Sequence, residues 1–142
     1  MPKKLNKGGP LKVTSKLPSL TEIHDGLVGF SFKYLELGHV KFGLPDTTIK
    51  ETYLAALCDR LKNISSMKCA EFRGATKPLR SHTIRWEKTT ETNGFAHLPA
   101  QLRDCEPWQF SLAREELGRV HGLWVDRTFY PVWIDHNHQL YP

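Results

Sequence analysis

The chain has 142 residues, 39% of them apolar and 11% aromatic, and carries 20 Lys and Arg against 15 Asp and Glu for a formal charge of +5. One domain with a single hydrophobic core accounts for that length, the apolar content excludes general disorder, and the basic excess favours anionic partners at short range. No run approaches the roughly 18 to 20 apolar residues of a membrane span, and the start MPKKLNKGGP lacks the apolar segment of a secretory signal, so a cytoplasmic protein is expected.

Residues 1–20 hold five lysines, Lys3, Lys4 and Lys7 among them, and three prolines with little periodic apolar content. They read as a flexible basic arm that adds phosphate contacts without reading a sequence. Residues 21–142 read as one α+β domain. From Gly26 to Leu37, Val28, Phe30, Phe32 and Tyr34 alternate with Gly29, Ser31, Lys33 and Leu35, the two-residue period of a half-buried strand. A turn or loop over 38–45 follows, with room for a short strand at Val40 to Phe42.

Thr48 and Glu51 have the spacing of a capping box, and Ile49, Tyr53, Leu57, Leu61 and Ile64 form one helical stripe, predicting a helix from Thr48 to Asn63. Its polar face holds Lys50, Glu51, Asp59, Arg60 and Lys62. Residues 65–79 read as a loop with a short strand at Ala70 to Arg73. His82, Ile84 and Trp86 alternate as a second strand. Residues 88–107 form a long connection with a short helix at Pro99 to Asp104, and a loop of that length is either functional or hides an element. Trp108 to Leu112, Val120 to Val125 and Phe129 to Ile134 are three further strands, the last two joined tightly through Asp126 and Arg127. Pro131 cannot donate to a ladder, which puts the final strand at an edge or bulges it there. The predicted architecture is an antiparallel sheet with one or two helices packed on one face. Cys58, Cys69 and Cys105 show no paired spacing and read as reduced, mostly buried thiols.

Two clusters carry chemistry. In GRVHGLWV, Arg119 and His121 lie two apart and so share one strand face, with Val120 and Trp124 on the other. A guanidinium can neutralise a phosphate while an imidazole moves protons near neutral pH. In DHNHQLYP, Asp135, His136 and His138 follow an apolar strand: they read as proton-transfer groups together with Tyr141, as an open metal site, or as a polar terminus. A third group, Arg80, His82 and Arg85 with Trp86 nearby, suits RNA contact, and Trp108, Trp124 and Trp133 are assigned to the core.

PWQFSLAREELGRVHGLWVDRTFYPVWIDHNHQLY, with the strand and helix before it in outline, resembles the three-strand block of the RelE/YoeB/HigB group of bacterial toxins. The resemblance implies a RelE-like fold and a metal-independent, cofactor-free endoribonuclease that cuts mRNA, commonly on the ribosome, by attack of the ribose 2′-hydroxyl. It makes Arg119 the cation that meets the phosphate and His138 with Tyr141 the proton-handling groups; His121 is added on chemical grounds, with His136 in reserve. It also implies an antitoxin protein as partner. The chain departs from the family in its length, the proline of its last strand and the extra segment at 65–107. Two other classes compete: a non-catalytic nucleic-acid-binding or protein-interaction module, and a metal-dependent nuclease built on Asp135, His136 and His138.

Overall fold

The computed structural model describes residues 26–44, 51–76, 79–112 and 118–141. The arm at 1–20, the helix start at Thr48 and Ile49, and the turn from Glu115 into Gly118 thus fall wholly or mostly outside the described residues. Five strands form one sheet: β1 (Gly29–Phe30), β2 (His82–Thr83), β3 (Pro107–Ser111), β4 (Arg119–Val125) and β5 (Thr128–Asp135), in the order β1-β5-β4-β3-β2. Three α-helices accompany it among the described residues: α1 (Glu51–Ser65), α2 (Cys69–Arg73) and α3 (Ala100–Arg103). The α+β class stands, but the sheet is mixed, because β1 pairs parallel to β5 while β2, β3, β4 and β5 are antiparallel neighbours.

The β4–β5 hairpin closes through Asp126 and Arg127, with Asp126 at φ 54°, a left-handed value that a two-residue turn requires and aspartate tolerates. Opposite His121 and Gly122 the register of β5 slips, so that His121 faces Trp133 and Gly122 faces Pro131. Val132 is the extra residue of this bulge, and both Val132 and Trp133 turn to the same face. Pro131 also explains why the long strand expected over 26–37 shrinks to two residues. Gly29 and Ser31 donate to Arg127 O and Phe129 O, and the next bond of that parallel ladder needs an N–H at 131, which proline lacks. Beyond Phe30 the chain leaves the ladder, Phe32 and Val40 are exposed, and the expected strand at 40–42 is a turn.

Both faces of the sheet are covered. On the first, Tyr53, Leu57 and Ile64 of α1 pack with Val28, Phe110, Val120, Phe129 and Ile134, each buried apolar side chain contributing about 1.5–3 kcal/mol. Phe72 of α2 is the hub, with ring centroids of Trp108, Phe110, Trp124 and Phe129 at 5.8, 5.9, 5.1 and 5.7 Å. The strand expected at Ala70 to Arg73 is this helix; Glu71 reaches back to the backbone N of Lys68 at 2.9 Å and closes its first turn.

On the second face, Phe42, Ile84, Phe95, Leu98, Leu123, Val132, Trp133 and Leu140 form a separate core, with Leu102 of α3 packed against it. Trp133 sits at its middle, stacked on Phe42 at 4.7 Å and donating from Nε1 to Glu36 Oε1 at 2.6 Å. Helices packed on one face alone are therefore corrected: the connection 84–106 is the second cover of the sheet. The strand expected around His82 to Trp86 is cut to two residues because the chain turns into a 3-10 helix at Trp86–Lys88 to bring Trp86 onto Phe95 and Trp133. Cys58 is exposed and Cys69 and Cys105 half-buried, all free, so the thiols are not the buried groups expected.

Candidate functional site

Asp135, the last residue of β5, organises the site although it does not face the solvent. Its Oδ1 accepts from Gln139 N at 2.7 Å, and its Oδ2 accepts from Leu140 N at 2.9 Å and from His121 Nε2 at 3.2 Å. These bonds curl the tail, with His138 at φ 55° at the bend, and drop Leu140 into the second core. Thr90 fastens the curl, its N donating to Leu140 O at 3.0 Å and its hydroxyl to Gln139 O at 2.8 Å. Tyr141 is thereby delivered to β2: its hydroxyl accepts from Arg85 N at 2.9 Å, and its ring lies 6.2 Å from that of His82.

Gly118 fixes the other side. At φ 86° it turns the chain into β4 where a Cβ would collide with the carbonyl of Asp135, so only glycine lets Arg119 start the strand directly opposite Asp135 and Ser111. Arg119 then opens into a cleft of about 380 Å³ lined by His82, Thr83, Arg85, Lys88, Arg119 and Tyr141. Three cations and two aromatic rings thus meet from three separate stretches of sequence. The Nε of Arg119 is buried without a partner, and neither Arg119 nor Lys88 makes an ion pair among the described residues. Arg85 is paired with Glu87 at 3.0 Å, but both are well exposed, so the pair is weak and exchangeable.

Beneath the cleft a polar row crosses the sheet through its register: His82, Gln109 and His121. His82 Nδ1 donates to Thr83 O at 2.8 Å, so its Nε2 is the acceptor for Gln109 Nε2 at 2.9 Å. Burial pushes the proton affinity of His121 down, and the positive charge of Arg119 pushes it further; the hydrogen bond and charge of Asp135 pull the other way without reversing the shift. His121 is therefore a neutral imidazole whose Nε2 proton goes to Asp135, leaving Nδ1, like Gln109 Oε1, a buried acceptor without a donor. Burial would raise the carboxyl of Asp135, but the hydrogen bonds from His121, Gln139 N and Leu140 N hold it below the usual carboxylate range.

The site brings together Arg119, Tyr141, His82 and Arg85, which the sequence places in different clusters. It does not bring in the others. His121 has no exposed surface and lies behind the cleft, so a substrate atom has no direct path to its ring. His136 lies against Tyr53, 6.4 Å between ring centroids, and His136, His138 and Arg80 do not line the cleft. Lys3, Lys4 and Lys7 lie outside the described residues. Both oxygens of Asp135 are committed to the tail, and among the described residues no group of three His, Cys, Asp or Glu side chains is placed to hold a metal. Sequence reasoning missed Lys88 and Gln109. The signal for Gln109 was present, a polar residue between Trp108 and Phe110 in an otherwise apolar strand; Lys88 gave none.

Among the described residues no helix is long and apolar enough to cross a membrane. No family model, curated protein or solved structure matches this chain.

Proposed function

We propose that this protein is a metal-independent endoribonuclease of RelE-like type that binds the phosphodiester backbone of RNA in the Arg119 cleft and cuts it by attack of the ribose 2′-hydroxyl. The observation that carries the reading is the convergence of Arg119, Arg85 and Lys88 with His82 and Tyr141 on one open cleft. A phosphate there meets unpaired guanidinium and ammonium groups, and charge growing on its oxygens in the transition state is met by the planar fork of Arg119. Tyr141 accepts its hydrogen bond from Arg85 N, so its own hydroxyl proton is free to go to the leaving 5′ oxygen. His82 is the one imidazole lining the cleft among the described residues and takes the 2′-hydroxyl proton once Gln109 releases its Nε2. His121 and Asp135 are positioning groups that hold β4 and the tail together. Arg119 on the strand before the last and Tyr141 in the tail are two of the three residues that the resemblance to the RelE/YoeB/HigB toxins implies; the third, His138, does not line the cleft. An antitoxin covering the cationic face and a cytoplasmic site of action belong to the same proposal.

Purified protein incubated with mRNA, with and without ribosomes and with a chelator throughout, tests it. The expected products carry a 2′,3′-cyclic phosphate and a 5′-hydroxyl. RNA bound with a steep salt dependence but left intact under both conditions would instead make the cleft a binding module, the reading favoured by the exposed Arg85 and Lys88 alone. Activity abolished by the chelator would move the chemistry to a metal.

A further inference from the structure

On the helical side of the sheet, away from the cleft, Arg60 presents a different problem. Its residue surface is only 8% exposed, yet its Nε has no hydrogen-bond partner, and among the described residues no carboxylate lies within ion-pair distance of its guanidinium. The sequence pattern places Arg60 on the solvent face of α1, so its burial is a product of the tertiary structure. A buried donor without a partner is costly, and folded chains rarely keep one without use for it. The nearest structural explanation is the carboxyl end of α1, where backbone carbonyls attract positive charge. Three of the last four carbonyls are already taken: Lys62 O accepts from Ser65 Oγ at 2.8 Å and Ser66 Oγ at 3.0 Å, Asn63 O from Ser66 N at 3.2 Å, and Ile64 O from Met67 N at 3.0 Å. Asp59 acts on Arg60 only through space, and burial outweighs it, lowering the proton affinity of the guanidinium.

Arg60 lines an open cavity of about 800 Å³ between the second half of α1 and the chain that leaves α2. Its other polar walls are Asp59, Lys62, Asn63, Ser66 and Thr76, and Met67, Ala75 and Leu79 supply apolar surface. Among the described lining residues two cations oppose one carboxylate, hydroxyl and amide donors surround them, and the apolar wall suits a flat ring. We infer that this cavity is a second binding site, for a phosphate-bearing small molecule of mononucleotide size, with Arg60 as the group that pairs with the phosphate. The inference is independent of the ribonuclease reading, because the cavity and the cleft share no lining residue.

Thermal unfolding of the full chain is followed with adenosine monophosphate, pyrophosphate, inorganic phosphate and citrate, for the native sequence, Arg60→Met and, as a control for the cleft, Arg119→Ala. Adenosine monophosphate or pyrophosphate is expected to raise the unfolding temperature of the native chain and of Arg119→Ala. Arg60→Met is expected to lose roughly 10- to 100-fold in affinity for the same ligand. Without ligand, Arg60→Met should unfold no earlier than the native chain, since it removes a buried N–H that has no partner. A merely structural arginine predicts the opposite, an Arg60→Met chain that is less stable with its ligand response intact. That result, a response lost only in Arg119→Ala, a response to citrate alone, or none to any anion overturns the assignment. Should Arg60→Met fail to fold, the Arg60 Nε–H resonance of the native chain is followed through the same titrations: a saturable shift supports the site and no shift removes it.

Discussion

The imidazole of His121 donates from Nε2 to Oδ2 of Asp135 across 3.2 Å, and the two side chains are 0% and 1% exposed. Through this contact the central strand β4 grips the end of β5 at the residue that folds the tail, so the sheet interior and the cleft share one buried joint.

The joint makes stability depend on pH. Burial lowers the proton affinity of His121 on folding, so below the unfolded imidazole value of roughly 6.5 the unfolded chain binds more protons and gains on the folded one. Asp135 acts in the same direction further down: its folded carboxyl lies below the unfolded value of roughly 3.9, so its contribution is present above that value and is lost as pH falls through the folded one. The unfolding temperature should fall from about pH 7 to about pH 5, and His121→Gln should flatten that slope. An unchanged slope in His121→Gln would assign the acid lability elsewhere.

Removing the Arg119 guanidinium should cost RNA binding without costing the fold. Its Nε has no partner, so Arg119→Ala should change unfolding free energy by less than about 1 kcal/mol, while RNA affinity falls roughly 10- to 100-fold. Arg119→Lys should recover only part of this, since an ammonium cannot form the two-pronged contact. Fluorescence anisotropy with a labelled oligonucleotide reads both, and native affinity in Arg119→Ala would remove the cleft from RNA binding.

Tyr141→Phe separates chemistry from binding. The ring and its place beside His82 remain, and only the hydroxyl that accepts from Arg85 N is lost, at a cost of about 1 kcal/mol in stability. If the hydroxyl protonates the leaving oxygen, single-turnover cleavage slows by about 10²-fold or more while RNA affinity stays within about threefold. Full cleavage by Tyr141→Phe would take the acid role away from it.

Gly122 sits at the bulge, paired with Pro131 of β5. A Cβ there would strike the carbonyl of Tyr130 and the ring of Phe129, so Gly122→Ala should lose about 3 kcal/mol in urea unfolding. Gly38→Ala, where a Cβ meets nothing within 4 Å, should change it by less than about 0.5 kcal/mol. Equal costs at the two positions would show that the bulge tolerates side chains.

Much of the sheet was legible because the alternation of Trp108, Phe110 and Leu112, the run Val120 to Val125 and the proline at 131 each report a local constraint. The bulge followed from the missing N–H of proline, and so did the early end of β1, once the parallel partner was known. Less legible were elements whose form depends on what they touch. Ala70 to Arg73 is too short for its period to choose between strand and helix, and Phe72 chose helix by filling the aromatic hub. Arg60 carries no mark in sequence that separates it from Asp59 or Lys62.

The site divides in the same way. By itself the sequence determined that Arg119 and His121 share a strand face and that Tyr141 ends a polar tail, because side-chain direction along a strand and the reach of a short segment are local properties. Which of these groups meet a ligand was decided by tertiary structure. The second cover, residues 84–106 with the curled tail, buries the inner end of that shared face and leaves its outer end open. His121 is thereby sealed against Asp135, while Arg119 is left facing His82, Lys88 and Tyr141 from segments far away in the chain.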